Sequence, residues 1–226
     1  MSARRVLRTG GLWFNGKDSY VSLNIPPIYK SVTSMGWAAI SKSSQDDSFL
    51  WRVHHGFYGS FGVEVYGGAL RGIIRTSSGY SFTTPYYVFN EMEWIHVAHR
   101  FNRDTRVHEL LINGEVVASR THPYNEDLPG FTTFHVGLGG TYPDWRYLRG
   151  IIDEVRVYNR FLSTDEIKAI YERDEPIKDG LVLYLDFSEY EGNIVYDKSG
   201  NNNNGTIYGG ARWVVKKALR VLPKAR

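Results

Sequence analysis

The chain has 226 residues, 42% of them apolar, and a formal net charge of +3, so it can bury a sizeable core as one large domain or two small ones. The absence of Cys excludes disulfide bonds, thiolate metal sites and a Cys nucleophile. Basic residues gather at both ends, but the sequence has no nucleic-acid-binding motif, so we interpret these ends as solvated and expect no nucleic-acid partner.

The first predicted elements are strands. Residues 11–23 indicate two short strands around a turn at Asn15-Gly16, a pair that readily supplies positive φ angles. Pro26-Pro27 is predicted to end this segment. Alternation of apolar and polar residues then predicts strands at 35–40, 49–55, 61–66, 70–76 and 86–90.

Two later segments carry clearer signals. Residues 93–101 have apolar side chains on both faces, as expected of a central strand in a sandwich. Asn113-Gly114 separates two apolar runs, at 110–112 and 115–118, which is the strongest hairpin signal in the chain.

A strand followed by a short helix is predicted at 151–172. Residues 151–158 are rich in β-branched residues and contain the acidic pair Asp153-Glu154. Ser163 is predicted as the helix N-cap, with Glu166 completing a capping box. The helix is too short to be stable alone, so we expect its apolar face to lie on a sheet.

Several of these segments together resemble one family. Residues 150–167, Gly-Ile-Ile-Asp-Glu-Val-Arg-Val-Tyr-Asn-Arg-Phe-Leu-Ser-Thr-Asp-Glu-Ile, are similar to the closing strand and helix of laminin-G-like domains. The strand at Trp94-Ile-His-Val-Ala and the Asn113-Gly114 hairpin are similar to other parts of them. The chain thus resembles the laminin-G-like, concanavalin A-like lectin/glucanase jelly rolls. The resemblance implies an all-β fold: a two-sheet antiparallel jelly-roll sandwich with one short helix.

The last part of the chain departs from the family's order. Residues 180–187 and 195–210 resemble the segment with which such domains open. One interpretation is a circular permutation: a single domain over 1–226, with a main body at 11–175 and its sheets completed in cis by 180–226. Alternatively, residues 180–226 donate their strands to a neighbouring copy and form a homo-oligomer by strand exchange, or the chain is a window cut from a tandem array.

Catalysis is not expected. Glycosidases of this fold place carboxylates near the spacing Glu-x-Asp-x-x-Glu, because acid and nucleophile must flank the bond. The pairs Glu91/Glu93 and Asp153-Glu154 have another spacing or direction, and the sequence contains no nucleophile elbow, phosphate-binding loop or HExxH motif. The chain is therefore interpreted as not an enzyme.

A calcium site is implied by the resemblance alone. Many relatives hold one structural Ca²⁺ at the sandwich edge on carboxylate and carbonyl oxygens. The implied metal ligands here are Asp18, Asp153, Asp197 and Asn201. The alternative is that Asp197 only makes turn hydrogen bonds. Asn15 also stands where the family usually has Asp, which lowers the negative charge available.

A sugar site is predicted from aromatic and polar residues placed in loops, since sugars bind on aromatic platforms beside planar polar groups. Residues 142–147 are the best candidate segment. The alternative is that these aromatics cover a sheet or pack against a neighbouring subunit. The candidate ligand-binding residues are Trp51, His54, Tyr58, Tyr86, Tyr87, Tyr142, Asp144, Trp145 and Arg146.

These observations predict a non-catalytic carbohydrate-binding or adhesion module whose partner is a glycan or a surface. The alternative is a structural assembly protein of a virion or cell surface, joined through its C-terminal strands. No apolar run is long enough to span a membrane, and no secretory signal is visible. The resemblance implies an extracellular, cell-surface or virion-associated location.

Overall fold

The computed structural model describes residues 10–55, 59–141, 144–174 and 177–214, with only the backbone of Thr141 and Asp144. These residues form two large antiparallel sheets, a small hairpin and the helix α1 (Thr164–Arg173). In chain order the strands are β1 (Gly11–Asn15), β2 (Tyr20–Ile28), β3 (Val32–Ile40), β4 (Ser48–His55), β5 (Gly59–Tyr66), β6 (Ala69–Thr76), β7 (Gly79–Phe82), β8 (Tyr87–Val88), β9 (Trp94–Phe101), β10 (Val107–Ile112), β11 (Glu115–Thr121), β12 (Phe131–Val136), β13 (Leu138–Thr141), β14 (Asp144–Tyr147), β15 (Arg149–Tyr158), β16 (Leu181–Leu185), β17 (Ile194–Val195), β18 (Gly205–Tyr208) and β19 (Arg212–Val214).

The two sheets contain most of these strands. The eight-stranded sheet has the order β11-β10-β9-β3-β15-β1-β19, and β16 pairs with β15. The nine-stranded sheet has the order β17-β18-β2-β12-β4-β5-β6-β7, and β8 pairs with β6. The pairings within both sheets are antiparallel, and β13 and β14 form a separate hairpin. The predicted all-β sandwich with one short helix is confirmed.

The main core lies between the sheets. In β5, for example, Phe61, Val63 and Val65 are buried and point inward. The eight-stranded sheet is also covered on its other face, where Ile167 and Ile170 of α1 join a second buried cluster that includes Met35, Ala98 and Leu111. This second layer explains why β3 and β9 carry apolar residues on both faces.

The helix has the predicted N-terminus. The Ser163 side chain accepts from the Glu166 backbone N–H, and the Glu166 carboxylate accepts from the Ser163 backbone N–H, which confirms the capping box. Arg160 donates to both carboxylate oxygens of Glu166, and this pairing lowers the pKa of Glu166 to about 2. No helix within the described ranges has the length and apolar character that a membrane crossing requires.

The C-terminal strands pair within their own chain. β16 pairs with β15, β18 with β2, and β19 with β1. Residues 181–214 therefore contribute to both large sheets in this structure. Permutation relative to the family and strand exchange between copies stay predictions.

Near the N-terminus the two strands predicted around the turn are present as β1 and β2, but the predicted strand end at Pro26-Pro27 and the positive φ of Asn15 were wrong. Strand β2 continues through Pro26 and Pro27 instead of ending there. Pro is tolerated in a strand where its missing N–H is not needed for pairing. Beside these two residues the pairing with β12 is irregular, and β18 pairs only with the start of β2. The turn at Asn15-Gly16 passes from one sheet to the other, and of these two residues only Gly16 has a positive φ.

Candidate functional site

The outer face of the nine-stranded sheet carries a groove of about 330 Å³. Strands β4 to β7 form its floor, and Gly140 and Arg146 of the β13–β14 hairpin stand at one side. We call it the arginine groove. Its charged and aromatic lining residues are Asp47, Phe49, Arg52, Glu64, Arg71, Arg75, Tyr80, Phe82 and Arg146.

Strand alternation turns these side chains outward. In β6, Leu70 and Ile74 are completely buried in the core, so Arg71 and Arg75 point to the opposite face. The same alternation in β5 places Glu64 on the groove side.

The pairing register then aligns residues that are distant in sequence. Arg52 lies opposite Gly62, Gly62 opposite Ile73, and Ile73 opposite Phe82. These four residues form one row across the floor of the groove. Because Gly62 has no side chain, the floor beside Arg52 is open.

Arg71 is fixed at the centre of the groove. Its Nε donates to Glu64 Oε1 at 2.5 Å, and its Nη1 donates to the Tyr86 hydroxyl at 3.2 Å. Its guanidinium carbon lies 3.7 Å from the ring centre of Tyr66 and 3.9 Å from that of Phe82. These contacts hold the guanidinium in one orientation.

Burial shifts the charge states of two neighbouring groups. Desolvation raises the pKa of Glu64 to about 7, although Arg71 and Arg52 pull it down. Desolvation also lowers the pKa of Arg52 to about 10. Arg52 is only 8% exposed, and its Nε has no hydrogen-bond partner within the described ranges.

A second cavity of about 290 Å³ lies on the same sheet face. We call it the aromatic pocket; it is lined by Tyr20, Ser22, His135, Leu138, Trp145, Tyr147 and Tyr208. The rings of Tyr20 and Tyr208 stack at 4.8 Å. Alternation along β14 directs Trp145 and Tyr147 to this pocket and Arg146 to the arginine groove, so the β13–β14 hairpin forms a wall between the two.

The sequence of residues 15–168 matches the model of the concanavalin A-like lectin/glucanases superfamily. This chain belongs to that superfamily. The recognised resemblance is thereby confirmed. Among curated proteins no sequence match is found.

Several solved structures share the fold. A candidate carbohydrate-binding protein from Bacteroides ovatus superposes with a TM-score of 0.70 at 18% identity, over 93% of this chain and 61% of that one. This chain thus spans less than two thirds of that relative. A heptameric pentraxin from Limulus polyphemus gives a TM-score of 0.65 at 11% identity, over 93% of this chain and 96% of that one. Domain 4 of an extracellular arabinanase from Geobacillus stearothermophilus, solved with arabinotriose, gives 0.52 at 15% identity, over 63% of this chain and 66% of that one.

The predicted ligand residues occupy different places in this superfamily fold. Trp51 is completely buried and donates its indole N–H to Ser34, which corrects its expected place in a binding loop. Tyr87 packs against the core, and His54 lies against the ring of His135. Tyr86, Trp145 and Arg146 do lie at the two cavities. Tyr58 and Tyr142 fall outside the described residues, as does the side chain of Asp144.

Sequence reasoning missed most of the arginine groove. Arg52, Glu64, Arg71, Arg75 and Tyr80 belong to strands, whereas the prediction considered loops. The available signal was in β6, where Arg71 and Arg75 lie four residues apart and so share one face of the strand, opposite Leu70 and Ile74.

The implied calcium ligands are held by the protein itself. Both carboxylate oxygens of Asp197 accept two hydrogen bonds each, from the backbone N–H groups of Tyr184, Ser199 and Asn203 and from the Ser199 hydroxyl. Because no acceptor site is left on it, Asp197 does not fit as a metal ligand.

The other three implied ligands are dispersed or engaged. Asn201 donates its amide N–H to the carbonyls of Leu181 and Val182, and Asp18 accepts from Asn15 and the Gly210 backbone. Asp153 is buried in β15. Within the described part of the chain, no group of three or more His, Cys, Asp or Glu is placed to hold a metal ion. The calcium ion stays a prediction of the resemblance.

Asp197→Ala is expected to lower the free energy of unfolding by about 3 kcal/mol, because the loop it organises loses charge-assisted hydrogen bonds. Calorimetric melting of the variant and wild type, each with calcium and with EDTA, checks this. Asp197→Ala is expected to lower the melting temperature by the same amount with calcium and with EDTA. Asp186→Ala, which loses only bonds to Ser188, is the control. A calcium-dependent rise in melting temperature that Asp197→Ala abolishes would contradict the interpretation.

Proposed function

We propose that this protein is a non-catalytic carbohydrate-binding module whose sugar lies in the arginine groove. The observation that carries the proposal is the combination of Tyr80 and Phe82 with planar guanidinium groups in one open cavity. Its volume of about 330 Å³ is within the usual range of small-ligand sites. The similarity to the Bacteroides candidate carbohydrate-binding protein and to the arabinotriose-bound arabinanase domain supports the same class of ligand.

Tyr80 provides the exposed platform. Its side chain is 55% exposed, and its ring is parallel to that of Phe82 at 6.2 Å. The guanidinium of Arg75 lies 4.9 Å from the Tyr80 ring centre. A sugar ring lying on Tyr80 would therefore meet a hydrogen-bond donor beside an apolar surface.

The carboxyl groups of the groove support binding without hydrolysis. Glycosidases need an acid and a second carboxylate on either side of the scissile bond. Only Glu64 and Asp47 are carboxylates among the described lining residues, and Arg71 contacts both, at 2.5 Å and 3.8 Å. The guanidinium of Arg71 therefore lies between the two carboxylates, where the scissile bond of a substrate would have to lie.

Tyr80→Ala is expected to weaken glycan binding about tenfold, because one aromatic contact is worth about 1 kcal/mol or slightly more. A glycan array identifies a ligand, and titration calorimetry then compares the variant with wild type. Tyr29→Ala is the matched control, since Tyr29 has the same exposed fraction of 55% and does not line the groove.

Two outcomes would count against the proposal. A folded protein that binds no glycan on the array would refute the function. Glycan binding that is weakened by Trp145→Ala but not by Tyr80→Ala would instead place the sugar in the aromatic pocket.

A further inference from the structure

We propose that the arginine groove selects acidic sugars, with Arg52 binding the carboxylate or sulfate group of the ligand. This inference rests on the proposed sugar-binding function and names its substrate class. Carboxylate and sulfate share the chemistry that a guanidinium recognises: two or more anionic oxygens on one atom, which can accept paired hydrogen bonds.

Arg52 is buried and has an N–H group without a hydrogen-bond acceptor among the described residues. It is 8% exposed, so most of its hydration is lost, and its Nε finds no acceptor among the described residues. A buried N–H group without an acceptor costs free energy that an anionic ligand would recover. Its nearest aromatic contact, with Phe49 at 5.2 Å, supplies no hydrogen bond.

The charge balance of the groove is positive. Four arginines line it, Arg52, Arg71, Arg75 and Arg146, against the carboxylates of Asp47 and Glu64. Both carboxylates pair with Arg71. No ion pair with a carboxylate of the described chain is found for the other three, so their combined field favours an anion in the groove.

The floor gives an anion access to Arg52. Gly62 lies opposite Arg52, and a Cβ there would lie only 2.3 Å from the Trp51 carbonyl oxygen. The position therefore excludes any larger side chain. Ile73, the next residue in the row, also leaves this part of the floor free of competing carboxylates.

Glu64 adds a dependence on pH. Its pKa is about 7, so lowering the pH from 8 to 6 protonates it and removes one negative charge from the groove. The affinity for an acidic sugar is therefore expected to rise as the pH falls. The charged and titratable groups that face Glu64 from the surrounding elements are Asp47, Arg52, Arg71, Arg75, Tyr80, Tyr86 and Arg146.

The test compares oligosaccharides of equal length by titration calorimetry: neutral, uronic-acid-containing and sulfated. Acidic ligands are expected to bind at least about tenfold more tightly than the neutral one. Arg52→Gln should remove about tenfold of the acidic affinity and so lower the ratio of acidic to neutral affinity. Glu64→Gln should increase the acidic affinity about threefold to tenfold at pH 8 and abolish its pH dependence. The two acidic ligands separate carboxylate from sulfate recognition.

Controls keep the outcomes distinct. Arg120→Gln removes one exposed arginine from β11 on the other sheet and should change nothing. If Arg52→Gln does not fold, Arg52→Lys keeps the charge, loses the planar fork and should still lose acidic affinity. If neutral and acidic ligands bind equally well and Tyr80→Ala weakens the binding of both, the acidic selectivity is refuted. The proposed sugar site in the groove is then still supported. No glycan binding at all by the folded protein would overturn both proposals.

Discussion

Deletion of residues 180–226 is expected to leave no soluble, folded protein. The deleted segment contributes five side chains to the main core, Val182, Leu183, Leu185, Phe187 and Val195, none more than 6% exposed. Burying each such side chain contributes roughly 1.5–3 kcal/mol. The sum, about 10 kcal/mol, is comparable to the total stability of a typical domain.

The same deletion exposes strand edges. β15 loses β16, β2 loses β18, and β1 loses β19. Unpaired edges of this kind recruit other chains and promote aggregation. Lost packing and exposed edges therefore act in the same direction.

Soluble yield, circular dichroism and light scattering of the truncated chain measure the effect. The matched control ends at residue 214, keeps every described strand and is expected to fold. A truncated chain at 1–179 that stays soluble and melts cooperatively would show that the main body is stable without these strands.

Local signals predicted the elements whose structure depends on neighbours in sequence. The sequence correctly predicted the helix N-cap at Ser163 with Glu166. It also correctly predicted the hairpin turn at Asn113-Gly114, where both residues have positive φ. Each of these features depends on a few adjacent residues. The path of β2 through Pro26 and Pro27 was missed. Whether a strand tolerates Pro depends on what pairs beside it, and that information lies in β12 and β18.

The groove was missed for a related reason. Its central row joins Arg52, Gly62, Ile73 and Phe82, which only the register of four strands brings together. Trp51 was expected in a binding loop but lies in β4, and it faces the core because the β4–β5 pairing shifts between Phe49 and Trp51. Such an irregularity places Leu50 and Trp51 both in the core, and the sequence alone gives no sign of it.

Acid is expected to destabilise the protein well above the pH at which carboxylates protonate. His99, His108 and His135 are buried, and desolvation lowers the pKa of each; those of His108 and His135 fall to about 3. The unfolded chain binds protons at these histidines below about pH 6.5, whereas the folded chain does not. Their contribution to stability is therefore lost progressively as the pH falls through 6.5.

Packing prevents these histidines from escaping to solvent. The ring of His99 stacks on Phe61 at 4.2 Å. The ring fits there because residue 72 is a glycine: a Cβ on Gly72 would lie only 2.4 Å from His99 Cδ2. His99 Nε2 contacts His108 Nδ1 at 3.1 Å, and His108 Nε2 contacts the Ser81 hydroxyl. Desolvation disfavours a charged imidazolium at this buried contact, and two imidazolium charges would repel each other across 3.1 Å.

The magnitude follows from the number of protons. Each fully shifted histidine changes the free energy of unfolding by about 1.4 kcal/mol per pH unit. Glu64 acts in the opposite direction between pH 7 and 4.5, because its raised pKa lets the folded state bind a proton first, and it offsets one histidine. Two net protons remain, so about 5 kcal/mol is expected to be lost between pH 6.5 and 4.5.

Urea unfolding, followed by tryptophan fluorescence between pH 6.5 and 4.5, measures the slope of the free energy of unfolding against pH. His108→Gln removes one proton site from the balance, so its slope is expected to be shallower by about 1.4 kcal/mol per pH unit, whatever its stability at pH 7.5. Val88→Ala, which removes no titratable group from an exposed position, should keep the wild-type slope. Parallel slopes for wild type and His108→Gln would mean that His108 takes up a proton in the folded state, and would contradict the prediction.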